Sequence, residues 1–351
     1  MAQDNLKEAN EYLRGGGKAK TGGGGGGGGV RNPQRHALQP MPRMTLEELH
    51  HSGWNYETPV VVKGVGEALG WQYAAFDLPE LKRRFGGERV DYYPHNMVDS
   101  SGVKPMFSTL GEAIDAIDAP LGFYDPGSRG TYIQWNVRSR MWATLGLNVT
   151  LPAAFTTDAA WLDECFLSEE TRDRFFIDTH WNMVLVGEEG AGMFNHMDTL
   201  RSASWQAQLR GTKRWHLCDV DQSPYVYGAG TVDVFDPDYA EYPLLLNATC
   251  YQDDVEEGDL VFYPKDYWHQ TLNLATPSVA FSGTLVTPEN TDTISAELAK
   301  DCSGGGRIFK RSEPMCAQLE ACMARWKAGE FPGVGPHEEG RRGLGRGGRE
   351  L

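Results

Sequence analysis

Residues 202–219 read SASWQAQLRGTKRWHLCD, two strand-like runs meeting at Arg210–Gly211. In a strand, alternate residues share a face, so Lys213 stands with Trp215 and Leu217. A lysine on the inward face of a barrel is costly unless it meets an anion. Taken by itself, Lys213 also fits a solvent-facing turn position. The same rhythm extends on both sides, through HWNMVLVG (180–187), GDLVFYP (258–264), WHQTLNL (268–274) and SVAFSGTLV (278–286), with Gly, Pro, Asp and Asn between the runs. No long helix interrupts 180–287. Short strands at this density predict an antiparallel β sandwich or barrel. In SVAFSGTLV, Ala280, Ser282 and Thr284 share one face, and Val279, Phe281 and Leu285 the other. Small and polar residues toward a cavity, with bulky apolar ones behind, fit a small barrel around a ligand; a solvent-facing polar side fits the same pattern.

Upstream the rhythm changes. TLEELHHSG (45–53) predicts a short helix with Thr45 as N-cap and Glu48 closing a capping box. PVVVKG (59–64) and RVDYYP (89–94) predict strands, as does TYIQWN (131–136). LPELKRRFGG (78–87), closed by Gly86, and TLGEAIDAI (109–117) predict helices. Downstream, NTDTISAELAK (290–300) and EPMCAQLEACMARWK (313–327) return to helical spacing. In the latter, Met315, Leu319, Cys322, Met323 and Trp326 form one stripe, which either covers the barrel or pairs with a second copy in a homodimer.

The expected organisation is a Gly-rich disordered segment over 1–43, an α/β elaboration over 44–179, the β core over 180–288, C-terminal helices over 289–331 and a disordered Gly/Arg tail over 332–351. The start lacks the apolar region of a secretory signal, and no run has the apolar length of a membrane helix. The six cysteines form no CxxC pair, so neither a zinc knuckle nor a disulfide framework is expected. A reducing intracellular setting, nucleus or cytoplasm, fits that spacing.

The net charge is −15. Residues 1–43 hold seven Lys/Arg against three Asp/Glu and residues 304–351 nine against six, leaving −22 for the body between them. Such a body does not bind nucleic acid through its general field, though it suits a basic protein substrate; solubility alone also accounts for it. Nucleic-acid contact is left to the Gly/Arg tail, GRRGLGRGGREL (340–351).

FNHMDTL (194–200) is the sharpest local signal. On a strand, His196 and Asp198 point the same way, supplying two of the three ligands of a 2-His-1-carboxylate triad, which holds Fe(II) and leaves positions open. His-x-Asp alone is common by chance. His269, in YPKDYWHQTLN (263–273), is the best third ligand, entering a strand after a turn. Thr271 and Asn273 share its parity, and Asn273 can hydrogen-bond an anionic ligand.

Taken jointly, HMD (196–198), WQAQLRGTKRWHLCDVD (205–221), FDPDYAEYP (235–243) and VEEGDLVFYPKDYWHQTLNL (255–274) resemble the JmjC family, in particular its small cupin-like hydroxylases. The resemblance covers roughly 110 residues, more weakly upstream from about residue 55. It implies a mainly β fold with flanking helices around a double-stranded β-helix, or jelly-roll, core. It implies Fe(II) at His196, Asp198 and His269, with 2-oxoglutarate and O₂ as cosubstrates. Lys213 would pair with the distal carboxylate of 2-oxoglutarate, and Asn273, Ser282, Gln206 and Tyr132 would be further cosubstrate contacts, with Gln134 an alternative to Tyr132. Trp205 and Trp268 would be aromatic walls, with core packing their default role. Met193 departs from the pattern, standing where some relatives carry a hydroxyl. The activity implied is hydroxylation of a protein side chain. The same site also serves N-methyl-lysine or N-methyl-arginine demethylation, and the same fold an inactive binding protein. The insertion VYGAGTVDVFDPDYAEYP (226–243) is long enough to line the entrance.

Overall fold

The computed structural model describes residues 35–93, 105–117, 130–156, 165–166, 168–287, 289–305 and 313–328. Thirteen strands form two sheets. They are β1 (Ala37–Gln39), β2 (Arg43–Met44), β3 (Val60–Val62), β4 (Arg89–Tyr93), β5 (Met106–Thr109), β6 (Tyr132–Asn136), β7 (Asn182–Gly187), β8 (Ala203–Arg210), β9 (Lys213–Cys218), β10 (Thr249–Val255), β11 (Leu260–Tyr263), β12 (Trp268–Asn273) and β13 (Ser278–Leu285). The small sheet has the order β1-β10-β9-β12; the large one runs β2-β3-β11-β8-β13-β7-β6-β4-β5. β7 to β13 wind between the two sheets, giving the jelly-roll core, with helices flanking it.

The β8–β9 corner carries the chain from one sheet to the other. Gly211 makes that turn at φ +68, and a Cβ there would lie 2.8 Å from the Pro277 carbonyl oxygen, so glycine is required on two counts. The faces of β9 then divide as alternation predicts: Trp215 and Leu217 pack into the barrel with Val61, Val255 and Tyr263, while Cys218 packs outside with Val226, Leu245 and Trp268. β13 divides likewise, Ala280 inside with Tyr132 and Leu185, and Val279, Phe281 and Leu285 against the layer of helices.

Thr45 caps the helix Leu46–His51 in the expected box with Glu48, and the helix Leu78–Phe85 ends at Gly86. The stripe of the helix Glu313–Lys327 is satisfied within the chain: Met315, Leu319, Cys322 and Met323 are buried against Phe175, Ile294 and Leu298. These four residues therefore cover this chain's own core; the Trp326 side chain lies outside the description.

Four expectations are corrected. The fold does not begin near Met44: β1 pairs in parallel with β10, and β2 with β3, so residues 35–43 belong to the sheets. Two short edge strands carry too few residues to show a period. The expected disorder of 1–34 and of the tail 332–351 falls outside the described residues. β10, TCYQDDV, was hidden because its polar outward residues mask the alternation, yet it pairs with β9 over five residues. The insertion is not among the described lining of the cavity; it packs on the outer face of the small sheet, where Val226 and Val232 cover Cys218 and Cys250, and meets the triad segment where Gly230 N donates to the Asn195 carbonyl at 2.8 Å. Finally, the cysteines are not scattered thiols: Cys165–Cys322, Cys218–Cys250 and Cys302–Cys316 are disulfides. Pairs separated by 157, 32 and 14 residues are set by tertiary contact, which spacing rules do not see.

Candidate metal centre

His196 and His269 face each other in an antiparallel bridge, each backbone N–H donating to the other's carbonyl, at 2.9 and 2.8 Å. The extended segment before His196 continues along β12: Thr271 N donates to the Met193 carbonyl and Asn273 N to that of Ala191. Asp198 lies two residues on, as N-cap of the short 3₁₀ turn Thr199–Arg201. His196 and Asp198 thus keep the shared face expected of them, although only His196 is in strand pairing.

The second nitrogen of each ring is fixed. His196 Nδ1 lies 2.7 Å from the Phe194 carbonyl oxygen and His269 Nδ1 3.1 Å from that of Tyr267. A carbonyl only accepts, so each Nδ1 carries the proton and each Nε2 presents a lone pair. Both Nε2 atoms converge on Asp198 Oδ1, at 3.9 and 3.6 Å. The other oxygen, Oδ2, accepts from Ser204 Oγ at 2.6 Å and Tyr263 Oη at 2.9 Å. Burial works to raise the Asp198 carboxyl pKa, but the two histidines and these two donors outweigh it, holding it below the ordinary range. Burial, with His269 adding, pushes His196 down toward the neutral form. Two neutral imidazoles and one carboxylate oxygen, each oriented by a second hydrogen bond, are a donor set suited to a divalent metal. Three ligands of this mix with positions left open match non-haem Fe(II).

The triad stands on a cavity of about 160 Å³ inside the barrel, lined among others by Tyr132, Gln134, Gln206, Thr271 and Ser282. Behind Gln206 lies Lys213, 1% exposed, its Nζ donating to Gln206 Oε1 at 2.9 Å and standing 5.9 Å from the Tyr132 ring centroid. Among the described residues no carboxylate pairs with it, and burial pushes its pKa down to about 7. Asn273 sits opposite Lys213 in the β9–β12 register. Both polar atoms of its side chain are buried without a hydrogen-bond partner, as is Ser282 Oγ. Gly187 makes room for it: a Cβ there would lie 2.5 Å from Asn273 Nδ2. A buried cation and unpartnered amide and hydroxyl groups, beside a metal triad, fit an anionic ligand that bridges the two.

Lys213, Gln206, Tyr132, Asn273 and Ser282 are thus brought together with the triad. Lys213 and Asn273 lie one layer behind the cavity wall, reached through Gln206 and Thr271. Gln134 also lines the wall, its Nε2 against the Met193 sulfur at 3.3 Å, so the thioether fills the place where a hydroxyl was expected. Trp205 packs with Phe281 and Trp142 outside the barrel and Trp268 packs under the insertion, so neither is a wall of the cavity; the large rings on its described wall include Trp215, Tyr132 and Tyr263. Sequence reading missed Ser204 and Tyr263. Their signals were there: Ser204 shares the parity of Gln206, and Tyr263 is its register partner across β8–β11.

A family model described as "Cupin-like domain" matches residues 146–282, which include the triad, Gln206, Lys213, Asn273 and Ser282 but not Tyr132 or Gln134. This match and the relatives that follow support a JmjC/cupin assignment. It is 32% identical over 132 residues to the chicken (Gallus gallus) "2-oxoglutarate and iron-dependent oxygenase JMJD4", covering 36% of this chain and 29% of that protein. It is 25% identical over 187 residues to the "Arginine-specific demethylase JMJ20" of Arabidopsis thaliana, 50% of this chain and 40% of that one. It is 32% identical over 92 residues to the chicken "tRNA wybutosine-synthesizing protein 5", 25% and 28% of the two lengths. The chain therefore spans less than half the length of these relatives. No described helix is long and apolar enough to cross a membrane.

Proposed function

We propose that this chain is an Fe(II)- and 2-oxoglutarate-dependent oxygenase that hydroxylates a protein side chain. The observation that carries the reading is Lys213, a buried ammonium with no counter-anion among the described residues, one layer from a 2-His-1-carboxylate triad. His196, Asp198 and His269 would hold the iron, which supplies activation of O₂ for oxidising a C–H bond while 2-oxoglutarate is decarboxylated to succinate.

The chain's own residues do the rest. The Phe194 and Tyr267 carbonyls lock both imidazoles in the Nδ1–H tautomer. Ser204 and Tyr263 occupy one oxygen of Asp198, leaving the other toward the metal. Lys213, released from Gln206, would meet the distal carboxylate of 2-oxoglutarate, with Asn273, Ser282 and Tyr132 as hydrogen-bonding neighbours. Met183, Leu185 and Met193 on the cavity wall exclude water from the reacting end.

Hydroxylation is favoured over removal of an N-methyl group from lysine or arginine by the charge of the wall. Asp198, the metal ligand, is the only carboxylate among the described lining residues. A cationic side chain would be desolvated there with no counter-charge. The acidic body still suits a basic protein as a whole, steering it rather than binding its reacting group. Mass spectrometry of a peptide library incubated with enzyme, Fe(II) and 2-oxoglutarate under ¹⁸O₂ separates the readings. Gain of one labelled oxygen is expected; loss of a methyl group as formaldehyde would establish the demethylase, and no change with intact metal and 2-oxoglutarate binding an inactive binding protein.

A further inference from the structure

Each of the six cysteines has a partner, and none is left over among the described residues. The three pairs arise in different parts of the fold. Cys218 and Cys250 face each other across β9 and β10, both essentially buried. Cys302, just past the helix Thr291–Lys300, joins Cys316, and Cys165 joins Cys322; both partners lie on the helix Glu313–Lys327, which is thereby anchored at two points. The Cα–Cα separations of 4.5, 5.2 and 5.3 Å all fall in the range a disulfide accepts. Complete pairing of cysteines that are distant in sequence is expected of proteins matured under oxidising conditions and is rare where thiols are kept reduced.

A second feature points to the same setting. The chain carries two Asn-x-Thr acceptor sequences, Asn148-Val-Thr150 and Asn247-Ala-Thr249. Asn148 is half-buried and its amide is engaged, Nδ2 donating to the Thr144 carbonyl at 3.3 Å. Asn247 is exposed at the end of the 3₁₀ turn Pro243–Asn247, and Thr249, exposed as well, opens β10. This second sequence lies just after the insertion and ends one residue before Cys250, and none of its residues lines the cavity.

We propose that the chain matures in an oxidising, N-glycosylating compartment, with the three disulfides as structural bonds and Asn247 as the glycan acceptor. Each disulfide forms by exchange with an oxidised dithiol carrier: two thiols lose two protons and two electrons, and the carrier's disulfide is reduced. At Asn247, Nδ2 loses a proton and bonds the anomeric carbon of a lipid-diphosphate-linked oligosaccharide, and the lipid diphosphate leaves. Neither step draws on the metal centre, so the inference stands or falls separately from the oxygenase reading. The competing use of the same cysteines is a soft-metal site, since His216 Nδ1 lies 3.6 Å from Cys218 Sγ and Cys250 is adjacent.

The test is made on the full chain from cells that express it. Thiols are blocked with N-ethylmaleimide in acid-quenched cells, and the purified chain is digested without reduction. Three cross-linked peptides, Cys165–Cys322, Cys218–Cys250 and Cys302–Cys316, without maleimide adducts, are expected. Release by peptide N-glycosidase in H₂¹⁸O should leave ¹⁸O-labelled aspartate at position 247, and Asn247→Gln should remove the glycan mass with the disulfides intact. Maleimide on all six cysteines would overturn the proposal, as would one zinc ion per chain with Cys218 and Cys250 reduced. Intact disulfides with unmodified Asn247 would overturn its glycan half.

Discussion

The two faces of β9 place a pair of histidines on each side of one strand layer, and the pairs differ in what their nitrogens have left to do. On the outer face, His36 Nε2 and His216 Nε2 bond to each other at 2.9 Å, Tyr239 Oη takes His36 Nδ1 at 2.8 Å, and Cys218 stands at His216 Nδ1. Every ring nitrogen there has a neighbour. On the inner face, only Nδ1 of His196 and of His269 is used, and both Nε2 atoms point at the free oxygen of Asp198. Burial holds both outer histidines toward neutrality, His36 down to about 4 and His216 to about 3, so burial alone does not tell the pairs apart. The difference lies in unspent valence. A structural pair closes its hydrogen bonds on itself; a metal pair keeps one lone pair per ring directed at a common point beside a carboxylate.

The largest effect expected from breaking this contrast is on the inner pair. His196→Ala should reduce tightly bound Fe(II) from one per chain to near none, whereas His36→Ala should leave metal content unchanged and cost only stability, roughly 1–3 kcal/mol for the partner left unsatisfied. Metal analysis after anaerobic reconstitution, with chemical denaturation alongside, checks both. Equal loss of iron in the two variants would erase the distinction drawn here.

Lys213→Met comes next. Loss of a buried charge pair with the distal carboxylate should weaken 2-oxoglutarate binding by about 2 kcal/mol or more, about thirtyfold at least, with metal content intact. The same substitution should stabilise the ligand-free chain, since it removes a buried, unpaired amine. The sign of its pH dependence follows from burial. The folded-state pKa of about 7 lies below the unfolded value, so between them the unfolded chain binds more protons. Stability therefore falls as pH is lowered from about 10 toward 7, by at most about 1.4 kcal/mol per unit. Urea denaturation at pH 7 and pH 9 should show that slope in the ligand-free protein and a flatter one in Lys213→Met.

Tyr263→Phe should be milder. It removes one of two donors to Asp198 Oδ2, leaving Ser204. Loss of such an outer hydrogen bond typically costs 10- to 100-fold in metal affinity or activity. Competition with a metal chelator measures it, and an unchanged affinity would show that Ser204 alone orients the carboxylate.

Much of this was legible because it rests on period-two alternation. The parity that put Lys213 with Trp215, and Asn273 with His269, survives intact, and the hairpin corner at Gly211 was marked by its residue type. What escaped depends on contacts between distant segments. Nothing local in residues 35–39 announces that β1 will pair with β10, or that His36 will reach His216. Trp205 and Trp268 take the core-packing role that is their default: a tryptophan on a two-sided strand fits either face, and only the helices and the insertion decide which is the outside. The disulfides escaped for the same reason: Cys218 and Cys250 become neighbours through a β9–β10 register that TCYQDDV does not display.

Conversion of 2-oxoglutarate to succinate by the reconstituted full chain, wild type against Asp198→Ala, tests the central claim most directly. The account predicts Fe(II)-dependent succinate formation by the wild type and none above background in Asp198→Ala, with the variant still folded by circular dichroism. Equal turnover in the two proteins, or a wild type that binds Fe(II) and never consumes 2-oxoglutarate, would contradict it.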